Sequence, residues 1–331
     1  NMDPAFLRKG VEYLFTDRNG WPRFSGDKGL MHYQNNEGIT KQTARSRIAV
    51  GCNWMAVPGR EYPLNDCVKI NVARIFDIAF HEMFEAGENE KSIASLLAIF
   101  EKHLEKAVDI TARGILHHLT YQRYIMPELV MNLMMENTIE TGRDISECAE
   151  LKTIGIDGVG LGTIADSLSA MEQRVEKEKL ISWDELHDAI DSNFEGAMGE
   201  RTRLMLKSSP RYCQGNSLGD KWAVRISRLF ADKVREREMP HGIQLIPGWF
   251  SWSSTIAFGE KVGATADGRF AFSPITHGAN PKPGFRRDGA PTAMASGVAA
   301  IQTNYGNTCP LQIEFDPKVS AEQGGIERVE Q

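Results

Sequence analysis

The sequence predicts a helix-rich α/β fold around a buried, largely parallel sheet or barrel. Apolar residues recur at helical spacing over long segments, for example at Ile70, Ala73 and Phe76, which is typical of amphipathic helices. Short apolar runs such as residues 48–50 lie between these segments, and such runs form strands that are buried on both faces of a parallel sheet. The charged fraction of 25% and the hydrophobic fraction of 41% are those of a globular domain.

The first half of the chain is predicted to contain five helices and one short strand. A short helix and a Gly-Trp-Pro turn fill residues 3–24, and Thr40 caps the start of a helix that reaches Arg47. Residues 48–50 are expected to be a buried strand that ends in a loop at Cys52. Further helices are expected at Leu64–Ala86, Glu90–Leu119 and, as a short piece, Pro127–Glu136.

The second half is predicted to be mostly helical as far as Pro240. Within the glycine-rich stretch Leu151–Gly162, residues Gly155–Gly162 are interpreted as a close backbone packing site, because they lack both the Lys-Ser/Thr of a phosphate loop and the Gly-x-Gly-x-x-Gly spacing. Ser182 followed by Glu185 is the capping-box pattern of a helix start. Helices are expected at Thr163–Lys179, Trp183–Lys207, Asp220–Arg237 and Thr292–Ala300, and the alternation of apolar and polar residues predicts a strand at Leu311–Phe315.

Charge and composition exclude several classes of protein. The net charge is -6 and no basic stripe interleaves with aromatic residues, so we expect no nucleic-acid partner. No apolar run approaches the ~20 residues of a membrane span, and no targeting segment is visible, which together predict a cytoplasmic protein without a membrane partner. The five cysteines are scattered without a C-x-x-C pair, which indicates free thiols in a reducing compartment and predicts no metal site.

The histidines are expected to be structural. His117 and His118 are adjacent in a predicted helix, where neighbouring side chains point about 100° apart, so we expect one buried and one exposed imidazole. The remaining histidines are isolated in the sequence and are each expected to be satisfied by ordinary packing: His32, His81, His103, His187, His241 and His277.

Cys52 is the residue whose position suggests chemistry. It follows Gly51, at which the backbone can turn tightly and present the thiol at a loop tip. Residue type alone nevertheless favours a buried core cysteine, because free cysteines are among the most buried residues. Without further information, the sequence describes a soluble α/β protein with one suggestive thiol.

Five segments in order resemble those of the glycyl radical enzyme family, which includes pyruvate formate-lyase and the radical dehydratases. They are a cysteine loop at Ala49–Cys52, a glycine-rich turn into Ala-Asp-Ser-Leu at Gly158–Leu168, a Gly-Asn loop at Gln214–Asp220, a Gly-Ala-Thr-x-Asp-Gly-Arg segment at Gly263–Arg269 and a Gly-Ala-Asn-Pro segment at Gly278–Pro281. Together they cover nearly the whole chain. With this resemblance, the preferred interpretation of Cys52 changes from a buried core cysteine to a catalytic one.

The resemblance implies both a fold and a mechanism. The family fold is a ten-stranded α/β barrel, of which residues 1–331 would be one partial domain. A glycyl radical would take a hydrogen atom from Cys52, and the Cys52 thiyl radical would take one from a small polar substrate, leading to carbon–X or carbon–carbon cleavage or to rearrangement. No cofactor would bind directly, because an S-adenosylmethionine-dependent iron–sulfur activase installs the radical under anaerobic conditions. A homodimer is a further candidate assembly.

Near the cysteine, the sequence departs from the family pattern in two ways. Cys52 is followed by Asn53 and has no adjacent second cysteine, so the pyruvate formate-lyase reaction itself is not expected. Trp54 stands where many family eliminases carry a glutamate base, and it is a candidate wall of the substrate site or a packing residue. The candidate replacement bases are Glu61 and Asp66, and Arg60 is a candidate ligand for a substrate carboxylate or a surface cation.

The third departure concerns the radical itself. The family's radical loop reads roughly Arg-Val-x-Gly-Tyr, and residues 328–331, Arg-Val-Glu-Gln, do not match it. We therefore expect the glycine loop and the earlier part of the barrel to lie outside this chain, which alone would be inactive. Two alternatives stay open: a non-catalytic relative that keeps the fold for binding or scaffolding, and a thiol enzyme with Cys52 as an activated nucleophile.

Overall fold

The computed structural model of the chain describes residues 3–24, 39–52, 54–85, 91–284, 291–302 and 307–330. Two compact units are present, Asn1–Asp27 with Gln312–Gln331, and Lys28–Leu311. In the smaller unit, helix α1 (Pro4–Asp17) packs against the helix Gly325–Glu330, and Arg8 donates to Glu327 at 2.8 Å. The larger unit contains the five strands and the helices between them.

The strands form a hairpin and an open parallel sheet. Strands β1 (Ile48–Val50) and β2 (Trp54–Ala56) pair antiparallel, so Gly51 and Cys52 lie at the tip of the hairpin. Strands β3 (Glu61–Asn71), β4 (Leu151–Val159) and β5 (Ile243–Trp249) lie side by side in that order and run parallel. The connections between parallel strands are helical, which is the usual arrangement for such a sheet.

The helices follow the strands along the chain. In the larger unit they are α2 (Lys41–Arg45), α3 (Val72–Glu85), α4 (Ile93–Ile125), α5 (Leu129–Asn132), α6 (Thr138–Thr141), α7 (Ile145–Cys148), α8 (Leu161–Ala170) with a π-helical continuation (Met171–Lys177), α9 (Trp183–Asp191), α10 (Gly196–Lys207), α11 (Leu218–Glu236), α12 (Thr255–Gly259) and α13 (Pro291–Ile301). In the smaller unit a 3₁₀ turn (Pro317–Ala321) precedes α14 (Gly325–Glu330).

The two faces of the parallel sheet differ in chemistry. Alternate residues of a strand point to opposite faces, and Ile154, Ile156 and Trp249 join the main apolar core on the helix side. The opposite side, which we call the polar face, carries these side chains: Glu61 and Lys69 of β3, Thr153 and Asp157 of β4, and Gln244 of β5. Glu61 bonds to Thr153 and Lys69 bonds to Asp157 across neighbouring strands. The polar face is therefore the side of the sheet available for a functional site.

Several sequence predictions are confirmed. The expected α/β class with a parallel sheet is present, Thr40 caps α2, and the Ser182–Glu185 capping box opens α9. Residues 292–300 lie within α13. The glycine-rich stretch is a close packing site as interpreted, because a Cβ on Gly158 would lie 2.6 Å from the Trp249 ring.

Other predictions are wrong because pairing with a neighbouring strand outweighs local periodicity. The first part of the predicted helix Leu64–Ala86 belongs to β3, which pairs with β4 through a bulge, and helix starts only at Val72. The glycine-rich stretch is itself a strand, and β5 lies where no strand is predicted. The predicted strand Leu311–Phe315 pairs with no described strand.

Two further corrections concern helix continuity and exposure. The predicted helix Trp183–Lys207 is two helices, because Asn193 and Phe194 adopt φ values of 53° and 60° and break it. Strand β1 is present but not buried, since Ile48 and Val50 are 55% and 41% exposed. Hairpin position, and not burial in the core, therefore determines the surroundings of Cys52.

We expect Gly155→Ala to destabilise the protein by about 1–3 kcal/mol, the usual cost of overpacking a filled site. A Cβ at this position would lie 2.2 Å from the backbone oxygen of Asn65, which cannot move without distorting β3. Gly114→Ala is the matched control, because Gly114 is exposed in α4 with nothing near its Cβ position. That change should raise stability by up to ~1 kcal/mol through helix propensity. Urea unfolding of both variants measures the contrast, and equal effects would contradict the packing interpretation.

Candidate active site around Cys52

Cys52 lies at the tip of the β1–β2 hairpin. Gly51 provides the turn with a φ of +54°, a left-handed conformation that glycine adopts at little cost. The Cys52 side chain is half-buried and forms no disulfide. Its backbone oxygen accepts a hydrogen bond from the Thr308 hydroxyl at 3.2 Å. The thiol is thus presented on a loop whose backbone is tied to a distant part of the chain, while the following Asn53 lies outside the described residues.

Trp54 packs directly beneath this tip. Its side chain is 7% exposed, and its ring meets the edge of Phe250 at 5.4 Å between centroids and 89° between planes. A Cβ on Gly51 would lie 3.1 Å from the Trp54 ring, so the glycine also lets the tip close onto the indole. Among the described residues, no acceptor takes the buried indole N–H of Trp54. The structure thus places a buried aromatic side chain at the position where the resemblance leads us to expect a carboxylate.

Glu61 lies in a buried ion pair, which gives it a structural role. Its carboxylate accepts from the Arg47 guanidinium at 3.1 Å and from the Val57 amide at 2.7 Å, and the Thr153 hydroxyl also donates to it. Both charged side chains are fully buried. With three donors around one carboxylate, this group is engaged in holding the base of the hairpin to the sheet.

Asp66 belongs to a charged cluster on the polar face. The Lys69 ammonium group bonds to the Asp66 carboxylate and to Asp157 Oδ2, the latter at 3.0 Å. Lys69 Nζ also lies 4.7 Å from the centre of the Trp252 ring and 5.5 Å from that of Phe250, so two aromatic faces favour the cation. We call Asp66, Lys69 and Asp157 the acidic cluster, since two carboxylates share one ammonium.

Asp157 is the most perturbed member of this cluster. Burial raises its pKa to about 7 against the opposing effect of the neighbouring Lys69 ammonium. Gly248 on β5 makes room for it, because a Cβ there would lie 2.4 Å from Asp157 Oδ1. The Asn307 side-chain amide donates to the same oxygen at 2.8 Å. A carboxyl group with this pKa can exchange a proton near neutral pH.

The acidic cluster and the cysteine hairpin are held in place by the same set of hydrogen-bonding residues. Asn307, which bonds to Asp157, also donates to the Asn65 backbone oxygen at 3.1 Å. The next residue, Thr308, donates to the Cys52 backbone oxygen. On the other strand of the hairpin, the Asn65 amide donates to the Met55 oxygen at 3.3 Å. The thiol loop and the buried carboxylate of Asp157 are therefore positioned by one hydrogen-bonded network.

Arg60 is not brought to this network. Its guanidinium binds Glu150 through two bonds, one of them 2.6 Å between Nε and Oε2. The Arg60 side chain is 33% exposed and that of Glu150 is 46% exposed. The pair is a surface salt bridge, and it leaves Glu61, the neighbour of Arg60 in the sequence, to pair with Arg47.

The remaining motif segments form a buried scaffold. Asp166 of the Ala-Asp-Ser-Leu segment binds Arg211 at 3.1 Å, and Arg211 also donates to the Asp267 backbone oxygen at 2.9 Å. Lys282 donates to the Asp267 carboxylate at 2.8 Å. Arg269 donates to the backbone oxygen of Ser273 at 2.7 Å, which fixes the loop that contains it. These residues account for the resemblance without taking part in the cysteine site.

Sequence reasoning misses Lys69, Asp157 and Asn307. Lys69 falls within a predicted helix, and Asn307 lies in a stretch without a clear pattern. Asp157 has a usable signal, since it is an acidic residue within an apolar, glycine-rich run. Charged residues are almost never fully buried unless they are paired, so an acid in a predicted core element indicates a partner and often a site.

Comparisons with known proteins agree on one family. A family model described as pyruvate formate lyase-like matches residues 1–259. The trans-4-hydroxy-L-proline dehydratase of Clostridioides difficile is 27% identical over 98% of this chain, which spans 42% of that protein. The isethionate sulfite-lyase of Bilophila wadsworthia is 29% identical over 95% of the chain and 40% of its own length.

The fold is also that of solved structures. The glycerol-bound B12-independent glycerol dehydratase of Clostridium butyricum superposes with a TM-score of 0.89 at 23% identity, over 100% of this chain and 43% of that one. At this identity the likeness concerns the fold. Across the described residues, every helix is too short or too polar to cross a membrane.

Proposed function

This chain belongs to the pyruvate formate lyase-like family, the glycyl radical enzymes, and from that membership we propose that the complete polypeptide is a radical lyase in which Cys52 relays the radical. The observation that carries the proposal is the half-buried thiol of Cys52 at the tip of a tethered hairpin, in the segment whose sequence resembles the family's cysteine loop. The whole protein's activity is inferred, since the chain spans about two fifths of its relatives.

The relay consists of two balanced hydrogen-atom transfers. A glycyl radical takes the hydrogen atom of the Cys52 thiol, so one S–H bond breaks and one Cα–H bond forms. The thiyl radical then takes a hydrogen atom from a substrate carbon, which restores the S–H bond and leaves a substrate radical. An S–H bond is similar in strength to an activated C–H bond, so neither transfer is far uphill. The protein's contribution is to hold the substrate carbon against sulfur and to exclude water.

Trp54 alters the step that comes after hydrogen abstraction. A dehydration needs a proton acceptor, and the indole at this position has no basic atom. Glu61, the first candidate base, is held by Arg47 inside the hairpin support. We place the acceptor instead in the acidic cluster, which contains the second candidate, Asp66, and the more perturbed Asp157. Trp54 is then a wall that shapes the substrate site.

The substrate class is a small polar molecule. The relatives are a dehydratase of trans-4-hydroxy-L-proline and a lyase of isethionate, and both names describe small polar substrates. Asn53 after Cys52 argues against pyruvate formate-lyase chemistry, which in the family uses two adjacent cysteines. We therefore propose carbon–X or carbon–carbon cleavage, or rearrangement. Arg60 is left out of substrate binding because Glu150 occupies its guanidinium.

The proposed enzyme requires a partner but binds no cofactor of its own. An S-adenosylmethionine-dependent iron–sulfur activase would install the glycyl radical, and residues 1–331 would form part of one barrel domain. The protein would act in an anaerobic cytoplasm, with a homodimer as the candidate assembly. The two alternatives, a non-catalytic relative and a nucleophilic thiol enzyme, predict no radical in the complete protein.

The test is to sequence the gene on both sides of this segment and to study the complete product. We expect a downstream Arg-Val-x-Gly-Tyr motif, and a glycyl radical signal in electron paramagnetic resonance after anaerobic activation with the activase encoded beside it. The activase together with a relative known to accept it is the positive control. A reading frame without the motif, or no radical where the control forms one, would overturn the proposal. Screening hydroxyproline, isethionate and small diols then identifies the substrate.

The pH profile tests the acidic cluster. If Asp157 accepts the proton, it must be ionised, so kcat/KM of the complete enzyme should rise with pH up to its pKa of about 7 and then level off. Asp157→Asn should remove this limb and lower the plateau at least ~100-fold, the lower end of the range for general acid–base catalysis. Glu150→Gln, an exposed carboxylate change, is the control. A limb that persists near pH 7 in the Asp157→Asn enzyme would exclude Asp157 as the base.

A further inference from the structure

Two helices of the larger unit bring together side chains that the sequence leaves far apart. His81 lies in α3, and His187 and Asp191 lie one turn apart in α9. His187 and Asp191 are four residues apart and therefore share one face of α9. Their side chains project together towards α3. His81 and His187, which are isolated from each other in the sequence, therefore lie close together in the fold. None of these residues takes part in the Cys52 site.

The spacing of their donor atoms is that of ligands around one ion. His81 Nδ1 lies 3.4 Å from Asp191 Oδ1, and His187 Nε2 lies 3.6 Å from Asp191 Oδ2. One ligand atom from each residue lies within 4.8 Å of the other two. Ligands at about 2.0–2.1 Å from a tetrahedral zinc ion are roughly 3.3 Å apart. Small side-chain rotations would suffice to bring all three onto an ion.

Both imidazoles are held in orientation by their surroundings. The second ring nitrogen of His81, Nε2, faces Asp77 Oδ1 at 3.6 Å. Asp77 is 3% exposed and also accepts from the Gly263 amide at 3.1 Å, so it is fixed from two sides. The His187 ring packs on Phe84 at 4.1 Å between centroids. A carboxylate behind a ligating histidine is the usual outer shell of a protein metal site.

The exposure and charge of these three side chains suit a metal ion that keeps one coordination position open to water. The side chains of His81, His187 and Asp191 are 34%, 23% and 51% exposed, so water can complete the coordination. Asp191 is the last residue of α9, where the unpaired carbonyl groups at a helix C-terminus favour positive charge. Two imidazoles and one carboxylate select a borderline transition-metal ion over magnesium or calcium.

We propose that His81, His187 and Asp191 bind a divalent transition-metal ion, with zinc as the physiological occupant, and that Asp77 is a positioning residue for His81. The ion would link α3 to α9. The break at Asn193 and Phe194 follows α9 and separates it from α10. A metal link would therefore hold α9, the first helix of this pair, against α3, the helix that follows β3. This metal site is independent of the radical chemistry.

Metal titration of the purified 331-residue chain tests the site. After removal of metals with a chelator, Zn²⁺ is titrated by calorimetry, and Co²⁺ by its visible absorption, which reports tetrahedral nitrogen and oxygen ligands. Because cysteines also bind these ions, the titration is repeated after alkylation of the accessible thiols. We expect one equivalent to bind in both preparations and to raise the thermal unfolding midpoint.

Variants locate the ion. His187→Gln and Asp191→Asn should abolish that equivalent, and Asp77→Asn should weaken it about 10- to 100-fold, as outer-shell changes do. His118→Gln is the matched control, since both His117 and His118 are exposed in α4, contrary to the sequence expectation that one is buried. Circular dichroism of the metal-free variants verifies folding. No binding by the wild type, or undiminished binding by folded His187→Gln and Asp191→Asn, would overturn the proposal.

Discussion

The Cys52→Ser variant of the complete enzyme should lose at least about 1,000-fold of kcat, equivalent to ~4 kcal/mol of barrier. Serine keeps the size and the hairpin position of the side chain but replaces S–H by a much stronger O–H bond. Its oxygen would hold the hydrogen atom too tightly to pass it to the glycyl radical, so the relay would stop before the substrate is touched. Product formation under anaerobic conditions is the measurement.

Two controls separate this effect from misfolding. The glycyl radical signal should still form in Cys52→Ser, because activation acts on the glycine and not on the thiol. Cys148→Ser changes another half-buried free thiol, in α7, and should keep wild-type turnover. Residual activity of Cys52→Ser within about 10-fold of wild type would exclude the thiyl relay, and rapid alkylation of Cys52 without any radical signal would favour the nucleophilic alternative.

Glu61→Ala should lower the free energy of unfolding by about 3–5 kcal/mol, the usual cost of leaving a buried charge without its partner. The change removes the acceptor for Arg47, the Val57 amide and the Thr153 hydroxyl at once. The Arg47 and Glu61 side chains have no solvent exposure, so water cannot replace the carboxylate without opening the hairpin support. Urea unfolding followed by circular dichroism measures the loss.

Glu150→Ala is the matched comparison. It removes the carboxylate of an Arg60 pair whose bonds are shorter than those of the Arg47–Glu61 pair but whose side chains are exposed, and surface pairs contribute roughly 0–1 kcal/mol. The difference in unfolding free energy between Glu61→Ala and Glu150→Ala therefore isolates the effect of burying the ion pair. If Glu61→Ala unfolded within about 1 kcal/mol of wild type while the complete enzyme lost turnover, Glu61 would be the missing base, and the acidic cluster would lose that assignment.

The sequence identifies the family but places the sheet poorly. The order and spacing of short motifs are local properties, so the family resemblance, the Ser182–Glu185 capping box and the packing glycines can be recognised without coordinates. Strands β3 and β5 cannot, because their partners are distant in the chain and their own periodicity is weak or helix-like. The same distance conceals the acidic cluster, whose members come from β3 and β4.

The two candidate bases show that residues close together in the sequence can lie in different surroundings in the fold. Glu61 and Asp66 are close neighbours on one strand, yet one supports the hairpin and the other joins Lys69 and Asp157. A bulge between Leu64 and Val68 separates the two environments, and bulges re-aim side chains in ways that spacing alone does not encode. His81 and His187 show the converse, since a long separation in sequence ends in ring contact at 5.6 Å.

The hydrogen bond from Thr308 to the Cys52 backbone spans 256 positions of sequence. During synthesis, which proceeds from the N-terminus, the cysteine loop emerges long before the residue that ties it down. Loop closure over such a span is entropically costly and comes late in folding. The backbone of the cysteine loop therefore gains this hydrogen bond only after the chain has been synthesised as far as Thr308, so a chain that stalls earlier leaves the loop without that support.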